Sequence, residues 1–144
     1  MTREAISRII DERCIERALI EVARAMDERD WDAINQILAF DAVGDFGTGR
    51  LDGRGAIIEM IRGFMDNCGA TQHLLANILI DVDGDHATSR AYVRDLHLSH
   101  SNPDLTFHTL GDYHDRWERR DGRWWLVERI KDNRGTVGSL DVFA

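Results

Sequence analysis

Through residues 1–29, apolar residues recur at intervals of three and four. Ile15, Ala18, Leu19, Val22 and Met26 form one stripe, and the spacing predicts an amphipathic helix. Asp30 is placed to cap a second, shorter helix, WDAINQIL, with Asp32 in its first turn. DAVGDFGTG reads as a short strand running into a glycine turn. GRGAIIEMIRGFMDNCG returns to helical spacing, with Ile57, Ile58, Ile61, Phe64 and Met65 inward and Gly69 beyond its end. At residue 71 the period changes to two. Strands are predicted at about 71–83, 85–100, 105–120 and 123–132, separated by DGD, SNPD and RDG, all turn chemistry. The only proline sits in SNPD, where its missing N–H removes no ladder bond. Helices followed by a meander of long strands imply an α+β fold, expected as one domain over residues 1–144. A curved antiparallel sheet crossed on one face by helices would enclose an apolar cone, a natural small-molecule pocket.

Strand parity then sorts the side chains. Leu74, Ala76, Ile78, Ile80 and Val82 alternate onto one apolar face, leaving His73 on the other with Leu75, Asn77 and Leu79. On the next strand His97 shares a face with Ala87, Ser89, Ala91, Val93 and Asp95, a row of small residues that leaves room for a ligand. Tyr113 falls with Phe107, Thr109 and Gly111. His86, His108 and His114 are expected outside the pocket. A shared metal is not expected. His97 and His100 point to opposite faces, and His108 and His114 are separated by roughly 20 Å of strand.

Composition narrows the function. Lys and Arg total 18 against 26 Asp and Glu, a formal net charge of −8, so the basic face of a nucleic-acid binder is lacking. Two cysteines, Cys14 and Cys68, make neither a disulfide framework nor a zinc pattern. No apolar run is long enough for a membrane span, and the N-terminus shows no secretion signal, so a cytoplasmic protein is expected. Nucleophile elbow, phosphate loop and dinucleotide fingerprint are all missing, which leaves acyl, phosphoryl and hydride transfer without visible machinery. A titratable imidazole with an orienting carboxylate remains. Asp27 lies about 100° round the first helix from the apolar stripe, beside Ile20, Ala23 and Arg24. It can sit at the edge of the buried face and accept a hydrogen bond from His73, as in general-base pairs, or serve as a plain helix-end surface acid.

MDERDWDAINQILAFDAVGDF, TQHLLANILIDVDGDHATSRAYV and DYHDRWERRDGRWWLVER together resemble the SnoaL-like branch of the NTF2-like superfamily. The likeness is to the group of scytalone dehydratase, bile acid 7α-dehydratase and hexachlorocyclohexane dehydrochlorinase. It implies a cone-shaped pocket and a cofactor-free elimination with Asp27 and His73 as the general-base pair. By the same resemblance His97 is a second pocket histidine, Tyr113 a polar pocket residue, and Arg129 a helper of the leaving group. Without the resemblance, Arg129 reads as a solvated side chain on the last strand. Two tyrosines that hold a water on the substrate carbonyl in scytalone dehydratase are replaced by Met26 and Phe46, and the dehydrochlorinase lysine by Val22. Met26, Phe46, Leu75, Val93 and Gly111 are the expected ligand contacts, for a small cyclic or aromatic hydrophobic ligand. Two alternatives stay open: a non-catalytic ligand-binding protein, and a structural subunit like the small subunit of ring-hydroxylating dioxygenases. An exposed sheet face leads us to expect a homo-oligomer, dimer or trimer.

Overall fold

A computed structural model describes residues 1–144. The elements run α1 (Arg3–Glu28), α2 (Trp31–Asn35), β1 (Leu38–Asp45), β2 (Arg50–Asp52), α3 (Arg54–Met65), β3 (Thr71–Asp83), β4 (His86–Leu98), β5 (Thr106–Arg120) and β6 (Arg123–Gly138), then a 3-10 turn over Leu140–Phe143. One curved six-stranded sheet has the order β2-β1-β6-β5-β4-β3. All neighbours are antiparallel except β1 and β6, which pair in parallel. The expected curved antiparallel sheet is found, with one parallel pair, β1 with β6. The chain enters β1 from α2, so β1 meets β6 as a long-range neighbour rather than through a hairpin.

α1 begins at Thr2, whose hydroxyl accepts from the Ala5 N–H, and ends at Arg29 in the left-handed conformation. Its stripe is buried: Ile15, Leu19, Val22 and Met26 are each no more than 5% exposed. Each such side chain contributes about 1.5–3 kcal/mol by leaving water. The stripe packs on the inner face of the sheet against Leu126, Trp117 and Trp124. A polar clasp pins the same helix to the sheet. Asp11 accepts two hydrogen bonds from Arg119 at 2.9 Å and one from Trp124 Nε1 at 3.0 Å.

The strand parity read from the sequence holds on β4, where Ala87, Ser89, Ala91, Val93, Asp95 and His97 are all buried. It fails halfway along β3. Asn77 adopts φ 51°, and the β3–β4 register shifts between Ala76 and Leu79. This bulge flips the parity: Thr71, His73 and Leu75 face inward before it, and Ile78, Ile80 and Val82 after it. Leu74 and Leu79 are consequently 57% and 64% exposed, and no single apolar face exists on this strand. The bulge also decides what His73 meets. Continuing the Asp83–His86 pairing without a bulge would set it opposite Leu96; the shift sets it opposite Asp95.

Two further features differ from expectation. β6 runs to Gly138 rather than 132, and the 3-10 turn beyond it folds back toward α3, where the rings of Phe143 and Phe64 meet edge to face at 5.2 Å. The outer face of the sheet carries exposed Leu74, Tyr92 and Leu110 beside Arg94 and Arg134. No helix is long and apolar enough to cross a membrane.

Candidate active site

A cavity of about 230 Å³ opens between the inner face of the sheet, α3 and the C-terminal turn. That is below the usual range of about 300–1,000 Å³ for ligand pockets, and it suits one small ring system. Met26, Phe46, Met60, Ile61, Phe64 and Met65 supply apolar walls, and Leu140 and Phe143 close one side. Against them stands a polar group from the sheet: His73, Asp95, His97, Thr109, Tyr113 and Lys131.

His73 is fixed by the junction of α1 with β3. Asp27, in the last turn of α1, accepts from the His73 backbone N–H through Oδ2 at 2.9 Å, and its Oδ1 meets the ring Nδ1 at 2.7 Å. Thr71 donates its hydroxyl to the same Oδ1 at 2.9 Å and accepts from Arg29 at 2.9 Å. Arg29 also donates to the carbonyls of Met26 and Gly69, so it ties the helix end to the start of the strand. Thr71 and His73 work together because two residues along a strand return to one face. Burial pushes the Asp27 carboxyl up, but the hydrogen bonds and charge of His73 and the bond from Thr71 pull it further down, below the usual aspartate value. An ionised Asp27 can only accept, so the Nδ1 contact is a hydrogen bond donated by the ring, and Nε2 is the nitrogen left free of Asp27. Nε2 stands 4.0 Å from Asp95 Oδ2.

The pairing His73–Asp95–Thr109 across β3, β4 and β5 builds the next layer. Asp95 Oδ1 accepts from the Thr109 backbone N–H at 2.9 Å and from its hydroxyl at 2.6 Å. Lys131 Nζ donates to Asp95 Oδ2 at 2.7 Å and to Thr109 Oγ1 at 2.9 Å. Burial raises the Asp95 carboxyl, and Lys131 and Thr109 more than offset it, leaving Asp95 below its ordinary value. His97 stacks edge-on to His73 at 5.8 Å and has Nδ1 3.1 Å from the Phe107 carbonyl. Burial is the largest influence on His97 and holds its pKa below the usual imidazole value, so it stands neutral. Burial also pushes the Tyr113 hydroxyl up, which leaves it a proton-bearing donor.

The expected site residues divide by position. Met26, Phe46, His73, His97 and Tyr113 line the cavity, and Asp27 touches it through His73. Leu75, Val93 and Gly111 form the adjacent cross-strand row on the inner face, outside the lining. Arg129 is also outside the lining. It makes two hydrogen bonds to Asp115, at 2.9 and 2.8 Å, with its guanidinium 3.8 Å from the centre of the Tyr113 ring. Burial raises Asp115 against the pull of Arg129, and Arg129 itself is held above its ordinary value. The fork-on-fork geometry is that of carboxylate with guanidinium, so Arg129 supports the tyrosine from behind. His86, His108 and His114 lie outside the cavity.

Sequence reasoning missed Asp95, Lys131 and Arg29 as parts of the site. The signal for Asp95 was Asn77, a residue that tolerates left-handed backbone in mid-strand and marks the bulge. Testing histidine pairs along single strands also missed a cross-strand group. Ligand atoms of His73, Asp95 and His97 lie within 4.8 Å of one another, close enough to share a metal ion. The ammonium of Lys131 already holds Asp95 Oδ2, and a divalent cation there would have to displace it.

Residues 7–130 match the profile of the SnoaL-like domain. The chain belongs to the SnoaL-like family. Among curated relatives, the uncharacterized protein Rv2910c of Mycobacterium tuberculosis is 26% identical, covering 88% of each chain. Among solved structures, a candidate scytalone dehydratase of Novosphingobium aromaticivorans superposes with a TM-score of 0.85 at 21% identity, over 94% of this chain and 91% of that one. A candidate aromatic ring hydroxylase from the same organism gives 0.84 at 26% identity, over 94% and 98%. A type 2 hexachlorocyclohexane dehydrochlorinase gives 0.83 at 17%, over 94% and 93%. These structures share the NTF2-like cone found here.

Proposed function

We propose that the cavity is the active site of a cofactor-independent lyase, which removes a proton from carbon and expels water or another small leaving group. The supporting observation is the 2.7 Å contact between Asp27 Oδ1 and His73 Nδ1, which leaves Nε2 as the basic nitrogen beside a ligand-sized space. In the reaction Nε2 takes the proton, the C–H electrons become the new double bond, and the leaving group departs with the electrons of its own bond. Asp27 stabilises the imidazolium, and Asp95, 4.0 Å away, adds to that. Tyr113 donates to the departing group. His97, neutral and with Nδ1 turned to a carbonyl, offers an acceptor for a hydroxyl or a water. Arg129 acts only by holding Tyr113 in place.

The ligand is a small cyclic or aromatic molecule, as the apolar walls and volume favour. A homo-oligomer belongs to the same proposal, because Leu74, Tyr92 and Leu110 are exposed on a face that no helix covers. The second reading is a non-catalytic binding protein. It draws on Met26 and Phe46, apolar residues at positions where the scytalone dehydratase pattern has carbonyl-activating tyrosines.

A screen of hydroxylated and halogenated cyclic compounds separates the two. His73→Ala should abolish turnover while leaving the fold and ligand affinity largely intact. Turnover that survives His73→Ala would replace the lyase reading with the binding one.

A further inference from the structure

The cavity contains a cation that proton removal by His73 does not by itself require. The Lys131 side chain is only 10% exposed, and its ammonium is held on one side by Asp95 Oδ2 at 2.7 Å and Thr109 Oγ1 at 2.9 Å. An ammonium has three donors, and no third protein acceptor meets this one. The position is a built one. Thr109 and Asp95 are themselves locked together at 2.6 Å, and Gly111 makes room for the lysine stem. A Cβ on Gly111 would come within 2.7 Å of Lys131 Cε and 2.6 Å of Val93 Cγ1. His73 Nε2 and Lys131 Nζ flank the same atom, Asp95 Oδ2, at 4.0 and 2.7 Å. A base and a cation are thus set side by side around one carboxylate oxygen, both lining the space a ligand would fill.

We propose that Lys131, seated by Asp95 and Thr109, is an oxyanion-binding subsite, and that the ligand of this cavity carries an oxygen able to bear negative charge, as in an enolate or a phenolate. A free donor on a buried ammonium makes a charge-assisted hydrogen bond, the kind that strengthens when the acceptor becomes an anion. The inference rests on His73 being the base and adds what the ligand must present. For a cyclic ketone, the electrons of the C–H bond broken by Nε2 move into the new C=C bond, and the carbonyl π pair moves onto oxygen, against Lys131. When the β C–O bond then breaks, that pair returns to the carbonyl and the ring gains its alkene. The departing hydroxide takes the proton from the His73 imidazolium and leaves as water, so the enzyme ends as it began. Lys131 in this way takes over the carbonyl activation that Met26 and Phe46 cannot provide. A halogenated cyclohexane, which has no such oxygen, would leave the subsite unused.

The test uses 4-nitrophenol, whose ionised form absorbs visibly, with the intact protein. In the wild type, the bound phenol should ionise at lower pH than in free solution. Lys131→Met removes the cation but leaves Asp95 buried and unpaired, so the double variant Asp95→Asn/Lys131→Met is measured alongside it. Both should weaken phenolate binding about tenfold or more and return the ionisation midpoint to or above its value in solution. His73→Ala should keep the shift. A double variant that is folded, binds phenolate as tightly as the wild type and shows the same midpoint would overturn the subsite, as would a wild type that does not bind the phenol. Phenolate binding that depends on Lys131, together with turnover that survives His73→Ala, would sink the lyase reading and leave the oxyanion subsite standing without its elimination step.

Discussion

At the scale of single residues, the site depends on a few atoms that cannot be exchanged for similar ones. Asp27→Asn keeps the volume but swaps one carboxylate oxygen for a donor, and Oδ1 alone serves both Thr71 and the His73 ring. We expect turnover to fall about a hundredfold or more with ligand affinity little changed, measured as kcat against KM on any substrate the screen yields. Gly111→Ala tests a different dependence. The added methyl would strike Val93 and the Lys131 stem, at a cost of about 1–3 kcal/mol by chemical denaturation. Unchanged stability would mean that the lysine has a second seat. His73 was singled out by the resemblance, whereas the position of His97 on the inner face was legible from parity and small neighbours. Lys131 was not, because KDNRG carries no alternation that says which way a lysine turns, and its partner Asp95 comes opposite His73 only through the bulge.

At the scale of elements, the change of period at residue 71 made the helix-then-sheet order legible, and caps and turns set most boundaries within two or three residues. Three features were hidden. The bulge depends on one left-handed asparagine inside an apolar run, the β1–β6 pairing joins segments far apart in sequence, and the tail of β6, NRGTVG, has no apolar alternation. Asn77 gives the sharpest test. Asn77→Gly should be close to neutral, whereas Asn77→Ile forces a β-branched residue to positive φ and should cost about 1–3 kcal/mol. If the isoleucine variant folded with undiminished stability and β3 became regular, His73 would shift from Asp95 and the site would be built differently. The C-terminal turn has its own signature. Phe143 packs edge-on against His97 at 5.1 Å and near Phe107 at 5.8 Å, so Phe143→Ala should open the cavity and weaken binding of an aromatic ligand severalfold in a fluorescence titration. Equal affinity would place the ligand away from this wall.

At the scale of the whole molecule, pH links the site to stability. Asp11, Asp27, Asp41 and Asp95 are held below the usual aspartate value by their partners. A carboxyl whose folded pKa is depressed stabilises the native state above its unfolded value of about 3.9, and that contribution is lost as pH falls through the lower folded value. Asp115, raised by burial, acts in the opposite direction. With four carboxyls against one, and the buried His97 also depressed, the urea midpoint should begin to fall below about pH 6.5, as the unfolded chain protonates His97, and drop further as the carboxyls titrate. A midpoint that is flat or rising from pH 5 to pH 2 would contradict these pairings.

One proposal joins the three scales: His73 meets Asp27 through Nδ1 and turns Nε2 toward the cavity as its base. Nitrogen-15 NMR of the histidine rings near neutral pH reads this directly. We expect His73 in the Nδ1–H form, with a strongly downfield ring proton that disappears in Asp27→Asn. A His73 found in the Nε2–H form, unaffected by Asp27→Asn, would mean that no base faces the ligand space.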